Sequence, residues 1–183
     1  MAVEWSPLTT AFVDDHQQLT RALKQLKDAL GRHDLSEAKR IAEELDCAAG
    51  PHILFEEAFL YPEVARARGR DYIERLYEEH RAGRDLLTRI LVLRSDSGRR
   101  LGDEEQARLL QQAEMTLGHA VSCGTLLSYL TTLDQTAQKE YFAALLALRQ
   151  QGKRWTEIPA PAPGQDHGQV PPPMDSPEPH ETT

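Results

Sequence analysis

Residues 52–64 read HILFEEAFLYPEV and place His52 four positions before Glu56. In an α-helix, residues four apart lie on one face, so both side chains point to the same side. That face also carries the apolar residues Ile41 and Leu45, at helical spacing from His52. The pattern therefore predicts a helix that directs an imidazole and a carboxylate into the interior of the protein.

The ends of this helix are predicted from its flanking residues. Asp34 suits the N-cap, with Glu37 three positions later as in a capping box. Gly50-Pro51 interrupts the helical pattern, and because proline removes one backbone hydrogen bond, we expect a kink or a bulge there. Gly69 is expected to close the segment.

The remaining apolar residues also recur at helical spacing, and no strand pattern is present. A first helix is expected after Ser6, with Pro7 at its first position, and to end at Gly31 as a left-handed cap. A third helix is predicted over about 71–94, and a polar turn over 95–102.

A fourth helix is predicted to start at Asp103, with Gln106 at capping-box spacing, and a shorter fifth helix spans about 135–151. The fold class is therefore all-α, an antiparallel up-down four-helix bundle with a short extra C-terminal helix. We expect the bundle to occupy residues 1–152. Residues 153–183 are expected to form a disordered Pro-rich tail, because from Pro159 onwards the chain has almost no apolar residues to bury.

Composition excludes several classes of partner. The net charge of −8 leaves no basic surplus for nucleic acid. No stretch approaches the roughly 18 consecutive apolar residues that span a membrane. The first seven residues lack the basic and apolar segments of a secretory signal. The two cysteines, Cys47 and Cys123, do not form a disulfide framework, and a cytoplasmic protein with reduced thiols is expected.

Four of the seven histidines fall one to each long helix, at positions where the period expects core residues: His16, His52, His80 and His119. Imidazole is a costly core filler because its nitrogens need partners. Counted along the helices, His16 and His52 lie at similar heights, as do His80 and His119, whereas His52 and His80 match less well. Together with Glu56 they predict a metal site between the helices, since imidazole suits iron and zinc and a carboxylate can bridge two ions.

The order of these residues resembles the hemerythrin-like cation-binding family, most specifically in the H-x3-E-E-x2-L-Y-P pattern of residues 52–62. The resemblance covers roughly residues 8–133. It implies a four-helix bundle with a carboxylate-bridged di-iron site. Members of the family bind dioxygen, sense oxygen, iron or nitric oxide, or repair iron-sulfur centres. The ligands that the resemblance implies are His16, His52, Glu56, His80 and His119.

Two positions depart from the family pattern. Cys123 stands where the second bridging carboxylate belongs, and Arg84 stands four residues after His80, where oxygen carriers place another histidine. Cys123 is either a small buried hydrophobe or a thiolate ligand or reactive thiol, and the loss of a carboxylate makes a mononuclear or asymmetric site plausible. A nearby cation, the metal or Arg84, would lower the pKa of the thiol.

Three glycines, Gly83, Gly118 and Gly124, interrupt helices close to these residues. They indicate either close helix packing or a pocket for an exogenous ligand, even one as large as heme. Tyr61 and Tyr77 are candidates to line such a pocket with Gly83, Arg84 and Gly124, or else are core aromatics.

Four functions fit these patterns. The first is a non-heme iron protein, di-iron or mononuclear, that binds or senses dioxygen, nitric oxide or reactive oxygen species. The others are a redox enzyme that uses Cys123 on peroxide or nitric oxide, a bundle for heme or another cofactor, and a metal-free scaffold. Iron is favoured over heme, no catalytic residue is assigned, and a protein partner is not specified by the sequence.

Overall fold

A computed structural model of the chain describes residues 5–93 and 101–159, and these residues form helices without strands. The helices are α1 (Pro7–Gly31), α2 (Leu35–Phe55), α3 (Tyr61–Arg68), α4 (Arg70–Val92), α5 (Asp103–Cys123), α6 (Leu127–Thr131) and α7 (Gln135–Gln151). A π-helical turn, Glu56–Leu60, joins α2 to α3, and a 3-10 turn, Gly124–Leu126, joins α5 to α6. A last 3-10 turn covers Trp155–Glu157.

The four long helices form a ring in which each contacts two neighbours. Helix α1 packs against α2 and α5, and α4 packs against the same two helices from the other side. Helix α7 lies outside this ring on α2 and α1. The predicted four-helix bundle with one extra C-terminal helix is thus confirmed. No described helix is both long and apolar enough to cross a membrane.

The core consists of two apolar clusters, one on each side of a polar layer. Along α1, Leu8 and Phe12 belong to one cluster and Leu19 and Leu23 to the other, with His16 between them. In α4, Tyr77 and Leu86 flank His80 in the same way. The polar layer is therefore shielded from water at both ends of the bundle, which strengthens electrostatic interactions within it.

Helix caps follow the prediction in part. The Ser6 hydroxyl accepts from the Thr9 N–H, and Asp34 accepts from the Glu37 N–H at 3.0 Å. The capping box predicted for Asp103 and Gln106 is wrong, because the N-cap of α5 is Gly102. Gln106 instead donates from its side-chain amide to the carbonyl of Leu30 at 2.7 Å, which ties the start of α5 to the end of α1.

The irregularity predicted at Gly50-Pro51 lies further along the chain. Helix α2 continues through Pro51 to Phe55, and a bulge begins only at Glu56. Here the N–H of Tyr61 donates to the carbonyl of Glu56, five residues earlier. Such π-type turns are frequent at functional sites.

Part of the predicted tail packs on the bundle. Residues 153–159 are described, and within them Trp155 and Ile158 are buried, 5% and 6% exposed, so they supply the apolar surface that the later residues lack. Residues 160–183, the rest of the predicted tail, lie outside the described part of the chain, as does most of the predicted 95–102 turn. Gly152 ends α7 in the left-handed conformation, φ 61°.

Candidate metal centre

Glu56 lies at the centre of the polar layer, with its side chain 1% exposed. Its Oε1 is 3.5 Å from Nε2 of His16 and 3.3 Å from Nε2 of His52. Its other oxygen, Oε2, is 3.2 Å from Nε2 of His80. The two oxygens of one carboxylate therefore face histidines from different sides of the bundle.

The four histidines form two similar pairs. The rings of His16 and His52, from α1 and α2, have centroids 4.5 Å apart and meet at 77°. The rings of His80 and His119, from α4 and α5, are 4.7 Å apart at 81°. The structure thus brings the four sequence-predicted histidines and Glu56 together in one layer.

Each histidine has its Nδ1 atom next to an oxygen acceptor. These contacts are His16 to the carbonyl of Phe12 at 3.0 Å, His52 to Asp15 at 3.2 Å, His80 to Glu57 at 2.8 Å and His119 to Glu79 at 2.6 Å. An Nδ1–H that donates to such an acceptor leaves the lone pair on Nε2, the arrangement usual for metal-binding histidines.

Asp15 and Glu79 belong to the site but were not predicted from the sequence. Each directly precedes an inward histidine, His16 or His80, but its carboxylate contacts the histidine of a neighbouring helix. Because adjacent residues on a helix point about 100° apart, an acidic residue beside an inward histidine lies at the helix boundary and reaches the next helix. That adjacency was the signal available in the sequence.

Cys123 lies in the same layer, 2% exposed, and its thiol donates to Oε1 of Glu56 at 3.0 Å. Burial, reinforced by the charge of Glu56, raises the pKa of this thiol well above its ordinary value. Arg84 donates to the carbonyl of Ile158 at 3.0 Å. The expectation that Arg84 lowers the thiol pKa is therefore wrong for the metal-free protein.

Tyr61 also reaches the layer. Its hydroxyl donates at 2.8 Å to Nε2 of His80, the same atom that lies 3.2 Å from Oε2 of Glu56. Tyr77 lies one turn away, and its hydroxyl donates to the carbonyl of Glu57 at 3.3 Å. The two rings pack edge to face, so Tyr77 supports Tyr61.

Among the described residues, two groups of donor atoms are compact enough to hold a cation. One group is His16, Glu56 and Cys123, and the other is Glu56, His80 and His119, with ligand atoms within 4.8 Å of one another in each. Nε2 of His52 is buried without a hydrogen-bond partner, which is costly unless another species takes its lone pair. This donor set of imidazole, carboxylate and thiol fits a transition-metal ion.

The sequence matches the hemerythrin HHE cation binding domain family over residues 8–120, more than half of the chain. The chain belongs to this family. Searches of curated proteins and of solved structures gave no match. The matched range includes the four layer histidines and Glu56, whereas Cys123 lies three residues beyond it.

In this hemerythrin domain the glycines are used in different ways. A Cβ on Gly83 would lie 2.3 Å from the Trp155 ring, so this position is closely packed, whereas Gly118 is exposed with open space around it. A Cβ on Gly124 would make an ordinary contact with the His16 ring at 3.5 Å. Beside Glu56 the domain encloses a cavity of about 20 Å³, about the space of one water molecule.

Burial and charge act against each other in the metal-free hemerythrin domain. Burial favours neutral forms, and it lowers the pKa of His16 to about 4. Burial alone would raise the pKa of Glu56, but the imidazoles of His52 and His80 outweigh burial and hold this pKa well below its usual range. Burial likewise opposes a charged His52, yet Glu56 and Asp15 raise its pKa to about 9.

Proposed function

We propose that this hemerythrin domain holds two non-heme iron ions bridged by Glu56, and that it binds a small ligand there: dioxygen, nitric oxide or a peroxide. The observation that carries the proposal is that two donor groups share one buried carboxylate, whose two oxygens face opposite pairs of histidines. A carboxylate whose two oxygens each lie beside other metal-ligand atoms can bridge two hard cations.

The two subsites differ in their donors. His16, His52, Oε1 of Glu56 and the thiol of Cys123 surround the first, whereas His80, His119 and Oε2 of Glu56 surround the second. A sulfur ligand is softer than oxygen and nitrogen ligands, so the first subsite would favour softer metals and a different redox potential. We propose an asymmetric centre in which Cys123 replaces the family's second carboxylate as a ligand.

When bound, the iron supplies the affinity for the small ligand and any electron transfer to it. The chain's own residues orient the imidazoles through Asp15, Glu57 and Glu79, and the apolar clusters on both sides exclude water. The cavity of about 20 Å³ leaves room for a small ligand only. Pockets for larger molecules measure about 300 Å³ or more, which argues against heme at this position.

Metal analysis tests the proposal. Protein purified anaerobically without a nickel column is expected to contain about two iron ions per chain after reconstitution. Glu56→Gln should lose most of the metal, because an amide cannot bridge two cations as a carboxylate does. His33→Asn is the matched control, since His33 lies in the α1–α2 connection with φ 58°, a conformation that asparagine tolerates. Wild-type metal content in Glu56→Gln would contradict the bridge.

A cobalt titration tests the role of Cys123. Cobalt(II) bound to a thiolate gives an intense near-ultraviolet charge-transfer band, so the wild-type protein should show this band and Cys123→Ser should lack it. Cys47→Ser is the control, because Cys47 is exposed and outside the layer. The same band in Cys123→Ser and Cys47→Ser would show that Cys123 is only a buried hydrogen-bond donor to Glu56.

A further inference from the structure

Residues 153–159 cross the outside of α2 and α4 at the height of the polar layer, and we name them the C-terminal strap. We propose that the strap closes this side of the metal site, and that Trp155 is the residue that limits the size of ligand the site accepts. The inference rests on the proposed function, because it assigns a specificity-determining residue to the same site.

The strap is anchored through polar contacts to two helices. Asp46 of α2 is fully buried and accepts from both the N–H and the hydroxyl of Thr156, at 2.8 Å each. From α4, Arg84 donates to the carbonyl of Ile158 at 3.0 Å. A buried carboxylate is costly unless its oxygens are satisfied, and the strap provides the partners that satisfy it. The strap is therefore part of the folded bundle.

The two helices carry glycine where the strap approaches them. A Cβ on Gly50 of α2 would lie 1.8 Å from the carbonyl oxygen of Lys153, so only glycine admits the strap backbone there. A Cβ on Gly83 of α4 would lie 2.3 Å from Cη2 of Trp155. Glycine inside a helix costs about 1 kcal/mol relative to alanine. Both positions thus give up helix stability where the strap comes closest.

The indole of Trp155 forms a wall of the metal site. It lines the cavity of about 20 Å³ together with Glu56, His52 and His119. Its ring centroid is 6.2 Å from that of His80, at an angle of 83°. A second cavity of only about 10 Å³ is lined by His80, Trp155 and Ile158. The indole therefore fills the space that a larger ligand would need.

The opposite side of the polar layer carries a groove. A surface groove of about 410 Å³ runs between α1 and α5, and it shares His16 and Ala120 with the inner cavity. A ligand that entered from this groove would pass His16 and reach the cavity that Trp155 lines. The groove admits ligands of many sizes, so the distance to the indole is what limits the length of a bound one.

Ligand titrations of the iron-loaded full chain test this role. The probes are azide, with three atoms in line, and imidazole, which is bulkier. Wild type and the control Trp5→Ala, whose tryptophan is exposed, are expected to bind azide and to bind imidazole weakly or not at all. Trp155→Ala should bind imidazole at least tenfold more tightly than wild type, with a smaller change for azide. An unchanged ratio of the two dissociation constants would overturn the proposal.

A fluorescence measurement tests the wall without iron. The chain has two tryptophans, so Trp5→Phe leaves Trp155 as the only tryptophan, which is excited selectively at the red edge of the absorption band. Acrylamide should quench it several-fold less than in the unfolded protein, and adding Gly83→Ala should increase the quenching because the new methyl group displaces the indole. Gly83→Ala should also bind imidazole more tightly, which keeps the test decisive should Trp155→Ala fail to fold. Quenching as strong as in the unfolded protein would refute the wall.

The two proposals can fail separately. A wild-type chain that binds no metal, yet shows a shielded Trp155, would contradict the proposed function. A chain that binds iron and azide, but shows the same ligand preference in wild type and Trp155→Ala, would contradict only the role of Trp155.

Discussion

Asp15→Ala should weaken metal binding at one subsite and spare the other. Asp15 accepts from Nδ1 of His52 at 3.2 Å, and its side chain is 18% exposed. His52 faces Oε1 of Glu56, on the same side as His16 and Cys123. Without Asp15, His52 keeps its position in α2 but loses the acceptor that fixes its ring and its tautomer.

The size of the effect follows from this contact. A hydrogen bond to a charged acceptor contributes about 1.5–3 kcal/mol. The 3.2 Å separation is at the long end of the usual range, and Asp15 is partly solvated, so the lower end of that interval applies. Since about 1.4 kcal/mol is tenfold in affinity, Asp15→Ala should weaken the first subsite about tenfold. Loss of a partner that orients a ligand histidine typically costs 10–100-fold, which agrees.

The assay is an anaerobic competition titration with a chromophoric chelator, which yields one dissociation constant for each of the two ions. The matched control is Arg149→Ala, because Arg149 is the other partner of Asp15, at 2.6 Å, but is 39% exposed and should matter little. Glu79→Ala should act on the second subsite instead, through His119. The reasoning is refuted if Asp15→Ala leaves both constants unchanged or weakens both equally.

Two further predictions concern stability. Gly50→Ala should lower the melting temperature by several degrees, because overpacking of this kind costs about 1–3 kcal/mol. The control Gly118→Ala, at an exposed helix position, should raise the melting temperature by about 2 °C. Equal shifts of the two variants in thermal denaturation would exclude a close strap contact at Gly50. Tyr61→Phe should destabilise the metal-free protein by about 1 kcal/mol in urea titrations, because His80 loses a buried hydrogen bond, yet keep the metal content; a fall in bound metal would instead make Tyr61 a ligand.

The helices could be predicted because their signals are local. Apolar spacing together with Ser6 and Gly69 placed the start of α1 and the end of the α2–α3 segment, since caps and glycines act within one turn. The left-handed cap predicted at Gly31 is wrong, because Gly31 is the last helical residue and the positive φ of 58° falls on His33. Gln106 was misassigned because its amide reaches the end of α1, a contact that only the folded bundle creates. A sequence pattern cannot distinguish a local cap from a partner 76 residues away.

The residues of the candidate site also divide into those that local sequence signals predict and those that only the folded bundle brings together. Histidines at apolar positions are conspicuous, since the helical period itself shows that His16 and His80 point inward. Asp15 and Glu79 look like ordinary surface charges, and their role depends on how neighbouring helices are rotated against each other. Trp155 lies close to a segment of disorder-prone composition, and its burial depends on the anchor that Asp46 provides from more than a hundred residues away.

The π turn at Glu56–Leu60 sets the angular relation between the carboxylate and Tyr61. In a regular α-helix each residue advances by about 100°, so five residues would carry the phenol well past the direction of Glu56. The wider π turn points the carboxylate of Glu56 and the phenol of Tyr61 in the same direction, and both side chains contact Nε2 of His80. Deleting a single residue here would rotate the whole of α3 while leaving its composition intact. A designed bundle that copies these side chains onto an ideal helix would consequently lose the phenol from its metal site.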